Sequence, residues 1–253
     1  VNTSPEGILA SRNQPLEYTS GQVKALTDIE NLINRRSDAY YLLAGYAGTG
    51  KTTIAENIAR YAQNHGYGVQ VIAPTNKATK VLSTKLAQAQ VKRVAATTIH
   101  SAIYDELDEK TKEWKKKSPI RNTVIIVDES SMINEDLMKD IINFTKNHNN
   151  IVIFMGDGFQ LEQIGTDSGL FASLNDPSVF NKKYGVQLDG GVMLTEVRRQ
   201  SLDSEILKIA TVSRMDDKAY IPAKSTPDFE LIDYPSEFQN KFLQSIKNED
   251  DAV

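Results

Sequence analysis

The chain has 253 residues, 40% of them hydrophobic and 25% charged, which suits a soluble globular protein with one sizeable core and a smaller element. It has no cysteine, which excludes disulfides and thiolate metal sites, and its net charge of −4 confines any nucleic-acid site to a local basic patch. No apolar run reaches the length of a membrane span and residues 1–20 lack a signal-peptide core, so the expectation is a cytoplasmic enzyme with no membrane partner.

Residues 1–18 mix Pro, Ser, Asn and Gly without periodicity and read as a flexible tail. The chain opens on Val1 rather than Met, which points to processing or to a piece cut from a longer chain. Thr19 or Ser20 can cap a helix over 22–36 with Val23, Leu26, Ile29 and Ile33 on its inner face. The apolar run Tyr40 to Ala44 predicts a buried strand. After it comes Gly45-Tyr46-Ala47-Gly48-Thr49-Gly50-Lys51-Thr52, which fits G-x-x-x-x-G-K-[ST]. Ile54, Ile58, Tyr61 and Ala62 then recur as one face of a helix. Strand, glycine loop and helix are the setting in which this motif has a mechanism. The glycines let successive backbone N–H groups close around phosphate oxygens, and the helix N-terminus adds its partial positive charge. Lys51 is expected to reach the β- and γ-phosphates and Thr52 to ligate Mg²⁺. Gly45, Ala47, Gly48, Thr49, Gly50 and Thr53 complete the expected nucleotide contacts. This stretch predicts a nucleoside triphosphate site.

Val69 to Ala73 predicts a second strand, ending at Pro74-Thr75, and Lys77, Lys80, Val81, Leu82 and Lys85 follow as an amphipathic helix with a basic face. Residues 102–121 turn charged and lysine-rich and carry Trp114, the only Trp of the chain; they predict a small inserted hairpin. Thr123 to Val127 is the next buried strand and runs into Asp128-Glu129. Asn134 can cap a helix with Glu135 and Asp136 in its first turn and Leu137, Ile141 and Ile142 inward. Ile151 to Met155 is another apolar strand, ending at Gly156-Asp157. Strands alternating with helices, and apolar throughout, predict an α/β fold with a parallel sheet covered on both faces. Ligands then bind beyond the C-terminal ends of the strands, where these motifs cluster. Past Gln200 the pattern predicts a helix over 203–214, a short segment over 229–232, a helix over 236–247 and an acidic end.

Asp128-Glu129 is the natural second half of the nucleotide site. Asp128 can hold Mg²⁺ through its water shell, and Glu129 can orient and deprotonate the attacking water; a solvated acidic turn is the plain alternative. A carboxylate directly after the metal-holding Asp favours hydrolysis over phosphorylation of a small molecule. Gln160, in Gly156-Asp157-Gly158-Phe159-Gln160, can hydrogen-bond the γ-phosphate or the attacking water. Arg198-Arg199 follows the apolar segment 192–194. An arginine against the γ-phosphate is worth roughly 10³–10⁵ in rate, although an Arg pair taken alone is usually a solvated face.

The ordered set Gln22, GYAGTGKT at 45–52, APTNKATKVL at 73–82, TTIHS at 97–101, DESSM at 128–132, GDGFQL at 156–161 and LTEVRRQ at 194–200 resembles the early motifs of superfamily 1 helicases. The resemblance is closest to the RecD-like and Dda-like branch, which moves 5′ to 3′ on single-stranded DNA, and it covers about residues 18–215. It implies a RecA-like P-loop ATPase domain over 19–200 that uses ATP and Mg²⁺, with single-stranded DNA as partner. By the same resemblance Gln22 reads the adenine, Lys51 and Thr52 serve phosphate and metal, and Asp128 and Glu129 carry Mg²⁺ and water activation. Gln160 senses the γ-phosphate and Arg199 is the arginine finger. Pro74, Thr75, Thr98 and His100 lie in the DNA-contacting motifs, with Lys77 and Lys80 beside them as a phosphate-tracking path. Trp114 on the hairpin can stack on or wedge apart bases, or simply staple the hairpin to its domain.

Such enzymes also carry a second RecA-like domain, and nothing in these 253 residues resembles its motifs. The expectation is a first motor domain in which 201–253 form a helical linker or the edge of a second motor domain missing from this chain, with weak activity when isolated. Two other readings stay open: a P-loop nucleotide or small-molecule kinase, for which no lid or acceptor pocket is visible, and a nucleotide-gated binding module that does not hydrolyse.

Overall fold

The first helix, α1 (Ser20–Arg35), starts on a reciprocal cap. The Gln22 N–H donates to Thr19 Oγ1 and the Thr19 N–H donates to Gln22 Oε1, so two backbone donors that the helix cannot satisfy are paired at once. The computed structural model describes residues 18–107, 114–157 and 170–196, all in the first of the chain's two units, Val1–Val197. Residues 1–17 of the predicted tail 1–18, Gln160, Arg198, Arg199 and the predicted helices beyond 200 lie outside the described residues.

After α1 come β1 (Ala39–Gly45), α2 (Lys51–Asn64), β2 (Gly68–Ala73), α3 (Asn76–Gln88), β3 (Val94–Thr98) and the short α4 (Ile99–Ile103). The ribbon β4 (Tyr104–Leu107) and β5 (Trp114–Lys116) follows, then β6 (Thr123–Val127) and the 3-10 turn Ser130–Met132. The rest is α5 (Glu135–Thr145), β7 (Ile151–Gly156), the 3-10 helix Leu170–Leu174, α6 (Pro177–Tyr184) and β8 (Gly190–Leu194). Among the described residues six strands form one sheet in the order β3-β2-β6-β7-β1-β8, with every pairing parallel, and β4-β5 is a separate antiparallel pair.

The period of two along the central strands divides the core. Tyr41 and Leu43 of β1 pack with Leu26, Ile29, Ile54, Ile58 and Leu82 of α1 to α3 on one face. Tyr40, Leu42 and Ala44 pack with Ile141, Ile142 and Phe180 of α5 and α6 on the other. Beneath the strands, at their N-terminal ends, the Asp38 carboxylate accepts from the N–H groups of Asn147, His148 and Asn150, while buried Asn150 donates to the Ile120 and Thr145 carbonyls and accepts from Thr123 N–H. These bonds fix the feet of β1, β6 and β7, and with them the height at which the opposite ends present their loops.

Two expectations need correction, and one strand carries no signature in the sequence. Val23 is 37% exposed, and Gln22 and Ala25 take the inward positions of α1 instead, because the helix is rotated to bring its first turn against the glycine loop. The inserted hairpin begins at Tyr104 rather than at residue 102; Ala102 and Ile103 are buried residues of α4, packed in the core. The segment 94–98, which the sequence marks only by its Thr pair, is an edge strand of the sheet; its small and polar residues mask the usual apolar signature because one side of an edge faces solvent.

Candidate active site

The register sets neighbouring strand ends in step. Ala44 pairs with Gly156, Val127 with Phe154 and Ile72 with Val127, so the loops after β1, β7, β6 and β2 emerge on one edge of the sheet. The loop after β1 holds Gly48 and Gly50 at φ of 79° and 86°, left-handed conformations that glycine adopts without steric cost, and Gly50 is the N-cap of α2. Gly45 is required by space: a Cβ there would lie 2.7 Å from Thr49 Oγ1 and 2.9 Å from Leu194 Cβ. Thr49 is buried, with its hydroxyl donating to Tyr46 O at 2.8 Å, whereas Ala47 and Gly48 are exposed. Lys51 Nζ donates to the carbonyls of Gly45 and Tyr46, the latter at 2.9 Å, which holds the ammonium against the loop. Thr52 and Thr53 occupy the first turn of α2, half-buried.

Gln22 has no exposed surface. Its Oε1 is engaged in the α1 cap, and its Nε2 donates to Thr49 O at 2.8 Å. The side chain expected to read an adenine thus ties the start of α1 to the glycine loop, and to reach a base it must let go of one of these bonds.

Asp128 leaves the end of β6, its N–H donating to Ile72 O at 2.9 Å. Burial pushes its carboxyl above the ordinary range; the Glu129 N–H, which donates to Asp128 Oδ1 at 2.9 Å, and the Lys51 ammonium pull the other way. Lys51 and Asp128, 77 positions apart in the sequence, therefore act on each other across the strand ends. Glu129 is left-handed, at φ 52° and ψ 35°, a conformation costly for a residue with a Cβ and one that recurs at functional sites. The turn behind it is anchored by Ser130, whose buried hydroxyl donates to Met155 O at 2.9 Å on β7. Ser130 was not singled out from the sequence; the Ser pair after the acidic residues was the available signal. Gly156 and buried Asp157 close the site above β7, where a Cβ on Gly156 would stand 3.0 Å from the Phe171 ring and 3.2 Å from Ser131 N.

A second group of expected residues lies at the β2 and β3 ends, where Ala73 and Thr98 are register partners. Pro74 is half-buried, Thr75 caps α3 by accepting from Ala78 N–H at 3.2 Å, and Lys77 and Lys80 are exposed. Thr98 caps α4 by accepting from Ser101 N–H at 3.2 Å, and His100 is exposed. Trp114, 54% exposed, stands on the ribbon that follows α4. The expected residues within the described chain thus form two neighbouring sets on one sheet edge. Backbone N–H groups, one ammonium, Thr hydroxyls and two carboxylates make up the first, a donor set suited to a triphosphate with Mg²⁺, which keeps several waters and takes one or two protein ligands.

Residues 17–224 match the AAA domain family. The chain belongs to that family. It is 25% identical to the RecD subunit of the RecBCD enzyme of Haemophilus influenzae over 252 aligned residues, covering 85% of this chain and 38% of RecD. It is 27% identical to protein R530 of Acanthamoeba polyphaga mimivirus over 192 residues, covering 68% of this chain and 38% of that protein. Among solved structures, the Pif1 helicase from Candida albicans is similar with a TM-score of 0.50 at 20% identity, covering 80% of this chain and 46% of that one. The chain thus spans about two fifths of the length of these two relatives. Family and fold agree with the resemblance carried by the motifs: this AAA-family chain has an α/β P-loop NTPase fold similar to that of the Pif1 helicase. Among the described residues no helix is long and apolar enough to cross a membrane.

Proposed function

We propose that this chain is the ATP-hydrolysing motor domain of a DNA helicase, stimulated by single-stranded DNA and directed 5′ to 3′. The observation that carries the reading is the convergence of Lys51 and Asp128-Glu129 at the ends of strands in one parallel sheet, with the Pro74–Lys77 and Thr98–His100 segments on the same edge. Lys51 and the loop N–H groups hold the phosphates, Thr52 and Asp128 hold Mg²⁺, and Glu129 takes the proton of the attacking water. Bound Mg²⁺ supplies neutralisation of the charge that builds on the phosphates. Gln22 keeps the glycine loop in place against α1. Gln160 and Arg199 are assigned γ-phosphate sensing and transition-state stabilisation by resemblance. Pro74, Thr75, Lys77, Thr98, His100 and Trp114 are assigned to the nucleic-acid path, a half-exposed surface with basic and aromatic groups suited to phosphates and unstacked bases.

The deciding measurement is ATP hydrolysis by the 253-residue chain with and without oligothymidylate, beside a Lys51→Ala control. Free phosphate above the control, rising with the oligonucleotide, is the expected result. Phosphate transferred to a small acceptor, or no turnover above the control, refutes the reading. A translocating motor alternates its grip on DNA between two domains. These residues supply one wall of that cleft, so slow hydrolysis, salt-sensitive DNA binding and no strand separation on a fluorescent forked duplex are expected; unwinding by the monomer contradicts this.

A further inference from the structure

The ribbon β4-β5 is fastened to α5 at one carboxylate. Tyr104 and Lys116 are register partners across the ribbon, and both donate to Asp140 of α5, Tyr104 Oη to Oδ2 and Lys116 Nζ to Oδ1. One side chain therefore grips both strands at the same rung. The next register pair, Leu107 with Trp114, lies beyond an irregularity in the ladder, and the Trp114 ring rests 6.0 Å from the Tyr104 ring. Tyr104 also meets the His100 ring at 5.7 Å. The clamped phenol thus touches both rings, and Trp114 packs against it. A second fastening ties the end of β5 to α4: Lys117 N–H donates to Ile103 O at 2.7 Å and Lys117 Nζ to Ser101 O at 2.8 Å.

The helix carrying Asp140 starts from the nucleotide site. Asp128-Glu129 lead into the turn Ser130–Met132, which Ser130 bonds to β7, and Asn134 then caps α5 by accepting from Leu137 N–H at 2.9 Å. Met138, Ile141 and Ile142 bury the helix in the core, so its outward residue Asp140 is held at a fixed distance from the acidic pair. We propose that Asp140 is a positioning residue that sets the ribbon and Trp114 relative to Asp128-Glu129, so that a nucleic-acid strand engaged by the ribbon is felt at the nucleotide site through α5. The transmission half rests on the reading that the ribbon side contacts single-stranded DNA; the clamp half does not.

Carboxylate chemistry explains the choice of residue. Two equivalent oxygens accept from a phenol and an ammonium together, whereas an amide offers one acceptor and turns an N–H₂ donor toward the other partner. Asp140→Asn therefore removes the charge that holds the Lys116 ammonium and makes Tyr104 Oη accept from an N–H₂ instead of donating to a carboxylate, so both bonds weaken. Tyr104→Phe removes a single oxygen and leaves the ring.

Trp114 is the only Trp, so emission anisotropy and acrylamide quenching of the whole chain report the ribbon directly, without nucleotide or DNA. In Asp140→Asn and Tyr104→Phe we expect lower anisotropy and faster quenching, with basal ATP hydrolysis and its KM unchanged. Stimulation by oligothymidylate should fall about fivefold or more in kcat, within the usual range of coupling between sites. Asp140→Glu, which keeps both oxygens, should restore part of it. A residue that only stabilised the fold would lower the melting temperature and leave both the Trp114 signal and the stimulation alone. Unchanged quenching in both variants overturns the clamp, and altered quenching with full stimulation overturns the transmission. If the unsubstituted chain shows no stimulation, the nucleic-acid reading and the transmission fall together, while quenching still decides the clamp. Should Asp140→Asn lose its cooperative unfolding transition, Tyr104→Phe carries the test.

Discussion

Replacing Glu129 by glycine and by glutamine separates what the backbone does at this position from what the carboxylate does. At φ 52° and ψ 35° a residue with a Cβ carries about 1–2 kcal/mol of steric cost relative to the right-handed conformation. Glycine escapes that cost but returns about 0.5–1 kcal/mol through the greater freedom of its unfolded chain. The balance leaves Glu129→Gly more stable than Glu129→Gln by roughly 0.5–1 kcal/mol, or about 1–4 °C in a domain of this size. Comparison with glutamine isolates the backbone, because both variants remove the Glu129 charge that pushes against Asp128. The bonds from Glu129 N–H to Asp128 and from Met132 N–H to Glu129 O are main-chain at this residue and survive in both. Hydrolysis should fall by about 10²–10⁴ in each, with ATP binding retained in the glutamine variant. Scanning calorimetry of the nucleotide-free chains and phosphate release are the assays. A glycine variant less stable than the glutamine one refutes the strain at Glu129, and hydrolysis within tenfold of the unsubstituted chain in Glu129→Gln refutes its role as base.

Lys51→Ala should abolish Mg-ATP binding in a calorimetric titration while leaving the fold intact, since Lys51 is half-buried and its bonds to the Gly45 and Tyr46 carbonyls lie within the loop. Gln22→Ala removes half of the α1 cap and orphans the Thr49 carbonyl, for a loss of about 1–3 kcal/mol in urea unfolding together with weaker ATP binding. A Gln22→Ala chain with unchanged stability would show that the tie to Thr49 carries no weight. Burial raises the Asp140 carboxyl, but the hydrogen bonds from Lys116 and Tyr104 outweigh it and hold the group below the ordinary carboxylate range. A depressed folded value stabilises above the unfolded pKa of about 4 and is lost as pH falls through the folded value. The Trp114 signal should accordingly stay constant from neutral pH down to about 4 and change only below it, with no such step in Asp140→Asn.

The nucleotide half of the site was legible because its information is local. Glycine spacing, the lysine after it and the apolar runs before Gly45, Asp128 and Gly156 each lie within one strand and its following turn, so periodicity and motif report them without knowledge of the rest of the chain. The caps at Thr19, Thr75, Thr98 and Asn134 are local in the same way: each oxygen binds an N–H three residues on. For Thr75 and Thr98, resemblance supplied a contact role and the structure adds the cap. The edge strand β3 escaped notice because strand propensity is read from apolar alternation, and an edge with a wet side does not display it. What remained hidden depends on residues far apart in sequence. Resemblance gives Gln22 an adenine to read, but only the docking of α1 against the loop 27 positions later buries it on Thr49. Gly45 matched a motif, but only part of the reason it tolerates no Cβ is local: beside Thr49 Oγ1, Leu194 is brought against it by the β1-β8 pairing. Asp140 sat on the polar face of a predicted helix with no partner in its own window; only the packing of α5 against the ribbon, 36 positions upstream, set its two oxygens between Tyr104 and Lys116. Sequence alone determined the triphosphate loop, the acidic pair and the alternation that makes a parallel sheet, since all three follow from short-range spacing. Tertiary structure decided which polar side chains are buried, strained or clamped, since those states depend on what another segment places against them.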